Sequence, residues 1–566
     1  MRLARALFAS RSSINPDQIG TDYERLLAQA PARRTQGIFY TPPEVVDYIV
    51  EQTLAPLFAG KSPRDVRSVR ILDPACGCGA FLLGAHRWLC RWYARQSDHV
   101  PTRAERRAIA RRHLAGIDID PAAVDLARQA LGHEAGIAPH KLAGAIRQGD
   151  SLLEHDAWLN GRFAAVVTNP PYVNIRRLAA SRGAGLADAY RRRYRCARGA
   201  FDLYVLFLER SVAALRPGGR IGAIVPNKLA TLDYARQCRE LLLGQGTLEA
   251  IADVSHLRLF GEAEVYPYIV VWAKQTPRPD HAIRVVRPSL VGRSFRAVQL
   301  NATRPTLILQ SQQQAARGLT LSGDLHLESR VATAPLSEVC TIHSGATGFQ
   351  AAELAARLVE RAASGLEHSR SECSTWDFIT SGNIDPYSIR LGDVRFMGSK
   401  LHRPLLAADD PILTDNKRQL YGSPKIVLAG MSRRLEAALD TRGLALGVQV
   451  YALAEWKIDP HYLLGLLNSS LLSHLFRLRF AAKRLAGGYY SLSKKQLGQL
   501  PIRLLDLSRQ SERRLHDRLI DLVRRRLKSE ARESRSAASL DLQIDDLVLR
   551  LYRVAGGEVA ESRAAA

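Results

Sequence analysis

Four consecutive residues carry the clearest chemistry in the sequence: Asn169, Pro170, Pro171 and Tyr172. They follow an apolar run, 164–168, that has the composition of a buried strand. The two prolines stiffen the backbone and remove two N–H donors, so the carbonyls here act only as acceptors. The Asn169 side-chain oxygen and the Pro170 carbonyl therefore offer two acceptors to a planar –NH₂ group, and Tyr172 can stack on the ring that bears it. A structural turn explains the Pro-Pro pair but not the flanking Asn and Tyr.

A glycine-rich turn lies upstream, with the sequence Asp73-Pro74-Ala75-Cys76-Gly77-Cys78-Gly79. Its glycines let the backbone approach a ligand at the carboxyl end of a parallel strand, where open α/β sheets bind ligands. The turn departs from the dinucleotide pattern G-x-G-x-x-G because residue 82 is Leu. Asp73 would repel a pyrophosphate and suits a cationic or hydroxyl-bearing ligand instead. A tight strand-to-helix turn without a ligand is the alternative.

Two further acids follow the next expected strands. Asp118 ends the second strand, where a carboxylate is placed to bind ribose hydroxyls. The neighbouring Asp120, which precedes Pro121, fits a helix N-cap, whereas Asp118 fits that role poorly. Asp150 follows the third strand, and an ordinary loop aspartate remains an alternative for it.

The elements that must position these residues alternate between strands and helices. The expected strands are 69–72, 114–119, 143–148, 164–168, 220–225, 248–254 and 268–274. The clearest expected helices between them are 121–131, 202–215 and 234–243. This alternation indicates an α/β protein with a mostly parallel sheet and helices on both faces.

The alternation fades after residue 274, and 275–280 reads as a boundary. We expect a helical lead-in, a catalytic domain, a second domain and a charged helical tail over 1–36, 37–280, 281–510 and 511–566. An amphipathic pattern in the second domain predicts one helix over 462–478.

Composition limits the class of protein. The chain has 566 residues, of which 46% are hydrophobic and 24% charged, an ordinary globular balance. No apolar run approaches the ~20 residues needed to cross a bilayer, so no membrane partner is expected. The net charge of +25 favours a polyanionic partner such as nucleic acid, with a basic coding bias as the alternative. The seven scattered cysteines indicate a reducing compartment, and we expect a cytoplasmic protein.

Taken in order, these segments resemble the gamma-class (Taq-type) adenine-N6 DNA methyltransferases of restriction–modification systems, which use S-adenosylmethionine. The resemblance covers residues 37 to about 274, and 217–226 is similar to another motif of the family. It implies a Rossmann-like, mostly parallel seven-stranded sheet followed by a mixed α+β target-recognition domain. The segments that look like that second domain are 463–475, 487–492 and 500–502.

The resemblance also implies a cofactor site. Residues 37–43 are similar to the motif that helps hold the methionine end, Asp118 matches the ribose-binding acid, and Asp150 matches the acid that reads the cofactor adenine. Cys78 replaces a Ser that is usual in the family, a change that we expect to be tolerated. The implied cofactor-binding residues are Thr41, Pro42, Asp73, Ala75, Gly77, Gly79, Asp118, Ile119, Asp150, Ser151 and Phe207. No metal is expected.

The catalytic residues that the resemblance implies are Asn169, Pro170, Pro171 and Tyr172. Adenine N6 is inaccessible to such a site inside duplex DNA, so the target base must be flipped out. Tyr172 and Phe260 are expected to stack on the flipped base, with a core aromatic as the alternative for Phe260. No Pro-Cys dipeptide occurs, which argues against cytosine-C5 methylation.

Two basic zones are expected to contact the phosphates of double-stranded DNA. The expected DNA-binding residues are Arg176, Arg177, Arg191, Arg192 and Arg193 in the first zone, and Lys483, Arg484, Lys494 and Lys495 in the second. A solvated charged face is the alternative, which we favour only for 524–528. A separately encoded restriction endonuclease is a further partner that the resemblance allows.

Other functions remain open at this point. An amino-methyltransferase acting on RNA or on a protein glutamine amide would use the same acceptor atoms, and a non-catalytic DNA-binding subunit would keep the same fold. Asp440 with Glu455-Trp456-Lys457 is similar to a nuclease pattern, but the match is short and lies inside the expected recognition domain.

Overall fold

The computed structural model describes residues 41–154, 158–183, 185–255, 257, 259, 266–286, 305–315, 319, 331–346, 348–361, 374–480, 488–529 and 535–554. Contacts divide the chain into two compact units, Met1–Gly323 and Asp324–Ala566. The expected lead-in over 1–36 lies outside the described residues.

One sheet forms the centre of the first unit. Its strands are β1 Ile71–Asp73, β2 Leu114–Asp118, β3 Ile146–Gln148, β4 Phe163–Thr168, β5 Leu215–Pro226, β6 Thr247–Asp253, β7 Pro267–Ala273, β8 Ala282–Val286 and β9 Thr306–Leu309. They lie in the order β3-β2-β1-β4-β5-β7-β6-β8-β9. Strands β1 to β5 pair in parallel, and β7 is antiparallel to both of its neighbours, β5 and β6.

The seven expected strands are all present, and the sheet adds two more. The boundary expected at residue 280 falls inside this sheet, because β8 pairs with β6 and β9 pairs with β8. The sheet therefore continues beyond residue 274, where the alternation of strands and helices in the sequence is lost.

Helices cover both faces of this sheet. They are α1 Pro43–Phe58, α2 Ala80–Ser97, α3 Arg103–His113, α4 Pro121–Ala135, α5 Ile175–Arg182, α6 Gly185–Arg193, α7 Tyr204–Ala214, α8 Lys228–Thr231, α9 Arg236–Gln245 and α10 Gln310–Ala315. Ile71 and Leu72, adjacent in β1, belong to different hydrophobic clusters, because successive side chains of a strand point to opposite faces. The expected N-cap at the start of α4 is confirmed, since Asp120 Oδ1 accepts from the Ala122 N–H at 2.9 Å.

The parallel pairing brings the chemically informative residues to one edge of the sheet. Asp73 ends β1, Asp118 ends β2, Asp150 follows β3 and Asn169 follows β4. These four strands are neighbours and run in the same direction, so their carboxyl ends share one edge. Ligands of open α/β sheets bind at this edge.

The second unit is mixed α+β. Its strands are β10 Thr333–Pro335, β11 Thr341–Ser344, β12 Val359–Glu360, β13 Thr375–Ile379, β14 Ile384–Asp385, β15 Ser388–Ile389, β16 Val394–Phe396, β17 Ser399–Leu401, β18 Pro404–Ala407, β19 Lys425–Ala429, β20 Met431–Ser432, β21 Ala437–Asp440, β22 Leu444–Leu446, β23 Val450–Ala454, β24 Tyr490–Ser491 and β25 Pro501–Arg503. Two four-stranded sheets have the orders β11-β23-β19-β21 and β12-β18-β13-β22. Two-stranded pairs complete the described strands: β10-β25, β14-β15, β16-β17 and β20-β24.

The helices of the second unit are α11 Leu336–Val339, α12 Gly348–Ala355, α13 Asp415–Gly422, α14 Pro460–Leu467, α15 Ser470–Arg479, α16 Lys494–Leu497, α17 Gln510–Lys528 and α18 Arg535–Leu551. The single helix expected over 462–478 is therefore two helices. The break occurs because Asn468 donates to the Ala437 carbonyl at 2.9 Å and Ser469 caps α15 by accepting from the Leu472 N–H at 3.2 Å.

The expected separate tail is part of the second unit's core. Leu519 and Val523 of α17 and Val548 of α18 belong to the same buried cluster as Leu463 of α14. The apolar stripes of these helices pack inward, and buried Arg526 of α17 pairs with Asp541 of α18 at 2.8 Å. Within the described part of the chain, no helix is long and apolar enough to cross a membrane.

Candidate active site

The glycine turn after β1 is closed on one side and open on the other. Gly79 has φ of 90°, and a Cβ there would lie 3.1 Å from the Ala127 Cβ on α4. Gly77 has φ of 49°, and a Cβ there would meet no atom of the described residues within 4 Å. Its N–H donates to Asp118 Oδ2 at 2.8 Å, which joins the ends of β1 and β2. Among the described residues, the turn thus leaves space in front of its own backbone, as a bound ligand requires.

Asp73 is a buried acid at the end of β1. It is 1% exposed, and Oδ1 accepts from the Ala75 N–H at 3.1 Å. The carboxyl also interacts with the side chain of buried Thr168, at the end of β4. Burial, with a contribution from the Asp118 carboxylate, raises the pKa of Asp73 to about 7. A cationic group next to Oδ2 would stabilise the ionised form.

Asp118 and its neighbour form the adjacent part of the edge. Asp118 Oδ1 accepts from the Asp120 N–H at 2.9 Å, opposite the bond from Gly77 to Oδ2. Burial raises the pKa of Asp118, and these two backbone bonds partly offset the rise. Ile119 is 44% exposed, so a large apolar side chain faces outward beside a fixed carboxylate. That pairing suits a ligand with both hydroxyl groups and a flat ring.

The loop after β3 is fixed to the loop after β1. Asp150 Oδ1 accepts from the Leu152 N–H at 2.9 Å, and the Ser151 hydroxyl donates to the Pro74 carbonyl at 2.7 Å. Arg210 on α7 holds the Ser151 carbonyl at 3.0 Å through its Nε. Phe207, also on α7, is buried.

Asn169 and Pro170 follow β4, and we call this pair of residues the acceptor corner. A hydrogen bond to a residue far away in sequence fixes its orientation. Asn169 Nδ2 donates to the hydroxyl of buried Thr41 at 3.1 Å, where Thr41 and Pro42 immediately precede α1. With the donor side of the amide used in this way, Oδ1 is its acceptor atom. Pro170 is buried and Pro171 is partly exposed. The hydrogen bond between Thr41 and Asn169 has no signal in the sequence.

Tyr172 is held in one orientation. Its hydroxyl donates to the Ile224 carbonyl at 2.9 Å, and its ring meets the Tyr204 ring edge to face, with centroids 6.4 Å apart. Burial raises the pKa of Tyr172, so the phenol stays neutral. Because part of the residue remains exposed, the fixed ring can still offer surface to a flat ligand.

Asp202 connects this corner to the helices around it. The buried carboxylate accepts from Tyr234 at 2.9 Å and from Asn174 at 2.9 Å, and Lys228 Nζ lies 3.7 Å away. Asn174 also caps α5 by accepting from the Arg176 N–H at 3.1 Å. The sequence placed Asp202 at the start of an expected helix, 202–215, but gave no indication of these hydrogen bonds.

The arginines of the first basic zone differ in whether they form an ion pair with a described residue. Arg176 and Arg177 on α5 and Arg192 on α6 are exposed and form no ion pair with any described residue. Arg191 is exposed and pairs with Asp188 at 3.1 Å, one helical turn away. Three of the four arginines therefore have no ion-pair partner among the described residues.

Arg193 differs from these arginines. Its guanidinium donates to the Leu153 and Glu154 carbonyls in the loop after β3. Arg193 therefore binds the protein backbone, and its expected contact with DNA stays a prediction.

The remaining expected residues fall into two groups. Lys494 and Lys495 are exposed at the start of α16. Phe260, Lys483 and Arg484 lie outside the described residues.

The nuclease-like residues are structural. Asp440 is buried in an ion pair with Lys425, with 2.5 Å between Oδ2 and Nζ. Glu455 accepts from the Thr341 hydroxyl at 2.6 Å. Across the described ranges, no group of three or more His, Cys, Asp or Glu side chains is arranged to hold a metal ion.

The strand order and the edge of glycines and acids define an S-adenosylmethionine-dependent methyltransferase fold. The family described as Eco57I restriction-modification methylase matches residues 112–260, and the MmeI DNA-methyltransferase domain matches residues 61–154. The TaqI-like C-terminal specificity domain matches residues 378–502. The chain therefore has Eco57I-like methyltransferase and TaqI-like specificity regions, which confirms the resemblance found in the sequence.

Individual relatives agree with these matches. The chain is 30% identical over 254 residues to the type II methyltransferase M.PaeR7I of Pseudomonas aeruginosa, covering 44% of this chain and 42% of that protein. It is 25% identical over 307 residues to the adenine-specific methyltransferase PglX of Streptomyces coelicolor, covering 45% of this chain and 24% of that protein. The chain thus spans less than half the length of each of these relatives.

A solved structure also matches this chain across the residues of both units. The structure of the type IIL restriction-modification enzyme MmeI in complex with DNA matches with a TM-score of 0.56 at 13% identity, covering 98% of this chain and 81% of that chain. The expected fold class, a methyltransferase sheet followed by a mixed α+β specificity region, is confirmed.

Proposed function

We propose that this protein transfers a methyl group from S-adenosylmethionine to N6 of a flipped-out adenine in duplex DNA, at a specific site. It acts as the modification component of a restriction–modification or related defence system. The observation that carries the proposal is the Asn169–Pro170 acceptor corner, held by Thr41 on the sheet edge that also carries Asp73 and Asp118.

The residues at the edge fit this cofactor. The space in front of Gly77 admits a ligand close to the backbone, and the buried carboxyl of Asp73 at the same edge suits the ammonium group of the methionine part. Asp118 is placed for the ribose hydroxyls, and exposed Ile119 for the adenine ring. Bound S-adenosylmethionine supplies an electrophilic methyl group.

The chain's own groups activate the acceptor. The exocyclic amine of adenine is a weak nucleophile because its lone pair is delocalised into the ring. Asn169 Oδ1 and the Pro170 carbonyl accept its two hydrogens, which favours a tetrahedral nitrogen with a free lone pair. The N–C bond forms as the sulfur–methyl bond breaks, which would leave S-adenosylhomocysteine as the second product, and the methylated amine then releases one proton to solvent. Positioning and fixed dipoles supply most of the rate enhancement.

Tyr172 holds the extruded base. Unpairing a base costs a few kcal/mol, and stacking on an aromatic side chain returns about 1–3 kcal/mol. The bond from Tyr172 to the Ile224 carbonyl fixes the ring before the base arrives, so little ordering is needed on binding. Phe260 is proposed as a second stacking residue.

In this proposal, basic residues bind the phosphates of the DNA partner, and the second unit recognises its base sequence. Arg176, Arg177 and Arg192 are proposed to contact phosphates, and the specificity region to contact base edges. A restriction endonuclease encoded separately is a proposed partner. We place the protein in the cytoplasm, where the six cysteines that the structure describes, none of them in a disulfide, would remain reduced.

Expression in a host without DNA methylation, followed by sequencing with modified-base detection, tests the proposal. We expect N6-methyladenine within one recurring sequence. Parallel methyl-transfer assays on duplex DNA, RNA and protein provide the comparison. Methyl incorporation into RNA or protein alone, or into no substrate, would contradict the proposed function.

A further inference from the structure

A short β-hairpin in the second unit combines features that would destabilise an isolated surface hairpin. Strands β16 and β17 pair with Phe396 opposite Ser399, so the loop consists of only Met397 and Gly398. The hairpin lies within the region that matches the TaqI-like specificity domain.

The base of the hairpin is firmly anchored. Val394 and Phe396 are buried, and the Phe396 ring lies 4.9 Å from the Phe378 ring. The N–H groups of His402 and Arg403 donate to the Glu360 carboxylate at 2.6 and 2.8 Å. The turn and the outward face are therefore presented on a rigid support.

The turn contains a residue that is unfavourable there. Met397 has φ of 50° and Gly398 has φ of 85°, both in the left-handed region. Two-residue turns with this backbone prefer Asn-Gly or Gly-Gly, because a larger side chain is strained at positive φ. Met397 is also 57% exposed, so an apolar side chain occupies the tip of the hairpin in water.

The outward face carries two positive charges directly opposite each other. Arg395 pairs with Lys400 across the ladder, and both are exposed. Neither forms an ion pair with any residue in the described part of the chain. Like charges in this position destabilise a hairpin.

We infer that this hairpin enters a groove of the target DNA and helps to read its sequence. Arg395 and Lys400 bind phosphates, which removes their mutual repulsion, and Met397 contacts the edges of the bases. A two-stranded β-ribbon fits the major groove, where apolar side chains contact thymine methyl groups. This inference rests on the proposed function, and it names the residues by which the protein would select its DNA site.

Met397→Asn separates this role from a structural one, because it creates the preferred Asn-Gly turn. Relief of backbone strain should raise the melting temperature by about 2–4 °C. At the same time, the ratio of methylation rates on the cognate duplex and on a duplex with one base pair changed should fall by about tenfold. A higher melting temperature with an unchanged ratio would overturn the assignment of Met397.

The charge pair is tested by the double variant Arg395→Gln/Lys400→Gln. We expect the Kd for a cognate duplex to rise by about tenfold or more, and the slope of log Kd against log salt to fall by about one for each residue. Arg524→Gln is the matched control, because Arg524 is an exposed arginine on α17 in the same unit. Its Kd should stay within about twofold of that of the unmodified protein.

The outcomes for the two proposals are distinguishable. If the unmodified protein methylates DNA but both hairpin variants keep its affinity and site preference, the hairpin inference fails and the proposed function stands. If the unmodified protein methylates no DNA, the proposed function fails, and the duplex-binding measurement alone decides the role of the hairpin. Loss of binding to RNA but not to DNA would also overturn the inference.

Discussion

Polar groups at the sheet edge of the first unit differ sharply from those on the β16–β17 hairpin of the second. Asn169, Asp118 and Tyr172 each form hydrogen bonds within the protein that set their orientation. Arg395 and Lys400 are exposed and form no ion pair within the described residues. The first set is arranged in advance, whereas the second is not paired with any described acidic residue.

This difference follows from the two tasks that we propose. Methyl transfer depends on groups that do not reorganise during the reaction, so they must be fixed before the substrate arrives. DNA is bound largely through phosphates, and unpaired cations release counterions when they bind it. Asp73 belongs to the first set, because its carboxyl accepts from the Ala75 N–H and interacts with the Thr168 side chain.

The largest expected effect comes from removing the fixed acceptor. Asn169→Ala should lower kcat by about 10²–10³-fold, the usual cost of losing one positioned hydrogen-bonding group. The affinities for S-adenosylmethionine and for the cognate duplex should stay close to those of the unmodified protein. Single-turnover methylation measures the first quantity, and equilibrium titration measures the other two.

The hairpin double variant provides the opposite pattern and sharpens the comparison. It should lose duplex affinity while keeping its methylation rate at saturating DNA. If Asn169→Ala retains full activity, the assignment of the chemistry to this corner is wrong.

A smaller effect is expected at the glycine turn. Gly77→Ala should weaken S-adenosylmethionine binding by about 10–100-fold, because the new methyl group occupies the ligand space and strains a left-handed residue. Gly60→Ala is the matched control, since Gly60 has φ of 66° and a Cβ there would likewise lie more than 4 Å from the other residues that the structure describes. Both variants should lose about 1 kcal/mol of stability, but only Gly77→Ala should lose affinity in calorimetric titration. Equal affinity losses would remove Gly77 from the site.

The smallest effect is a pH dependence that arises from Asp73. Burial raises its pKa from 3.8 to about 7, so the carboxyl is protonated below that value in the free protein. Only the ionised form pairs with an ammonium group, so affinity for S-adenosylmethionine should rise by about tenfold from about pH 5.5 to about pH 7. Asp73→Asn should bind more weakly and flatten this profile.

Stability should change with pH in the opposite direction. Because the pKa of Asp73 is higher in the folded than in the unfolded state, its contribution to stability is fully present below pH 3.8 and is lost as the pH rises through about 7. Asp73→Asn should therefore melt at a higher temperature than the unmodified protein at about pH 8. A lower melting temperature at that pH would contradict the proposed cause of the shift.

Much of the first unit could be predicted from the sequence. Apolar runs such as 164–168 and 268–274 are strong strand signals, and a proline after an Asp defines the start of α4. The last two strands, β8 and β9, could not be predicted in the same way, because β8 is placed by its pairing with β6 and β9 by its pairing with β8. The break at Asn468 was also missed, since it depends on a bond to the Ala437 backbone.

The order of residue types along the chain determined the chemistry: an acid before two glycines, further acids after successive strands, and an Asn before two prolines. These are local patterns, because backbone stiffness and side-chain donors and acceptors belong to the residues themselves. Only the tertiary structure decided which of these side chains form hydrogen bonds within the protein and which do not. Thr41 bonds to Asn169, Arg193 serves a loop, and Arg395 faces Lys400 because the folded chain brings distant residues together.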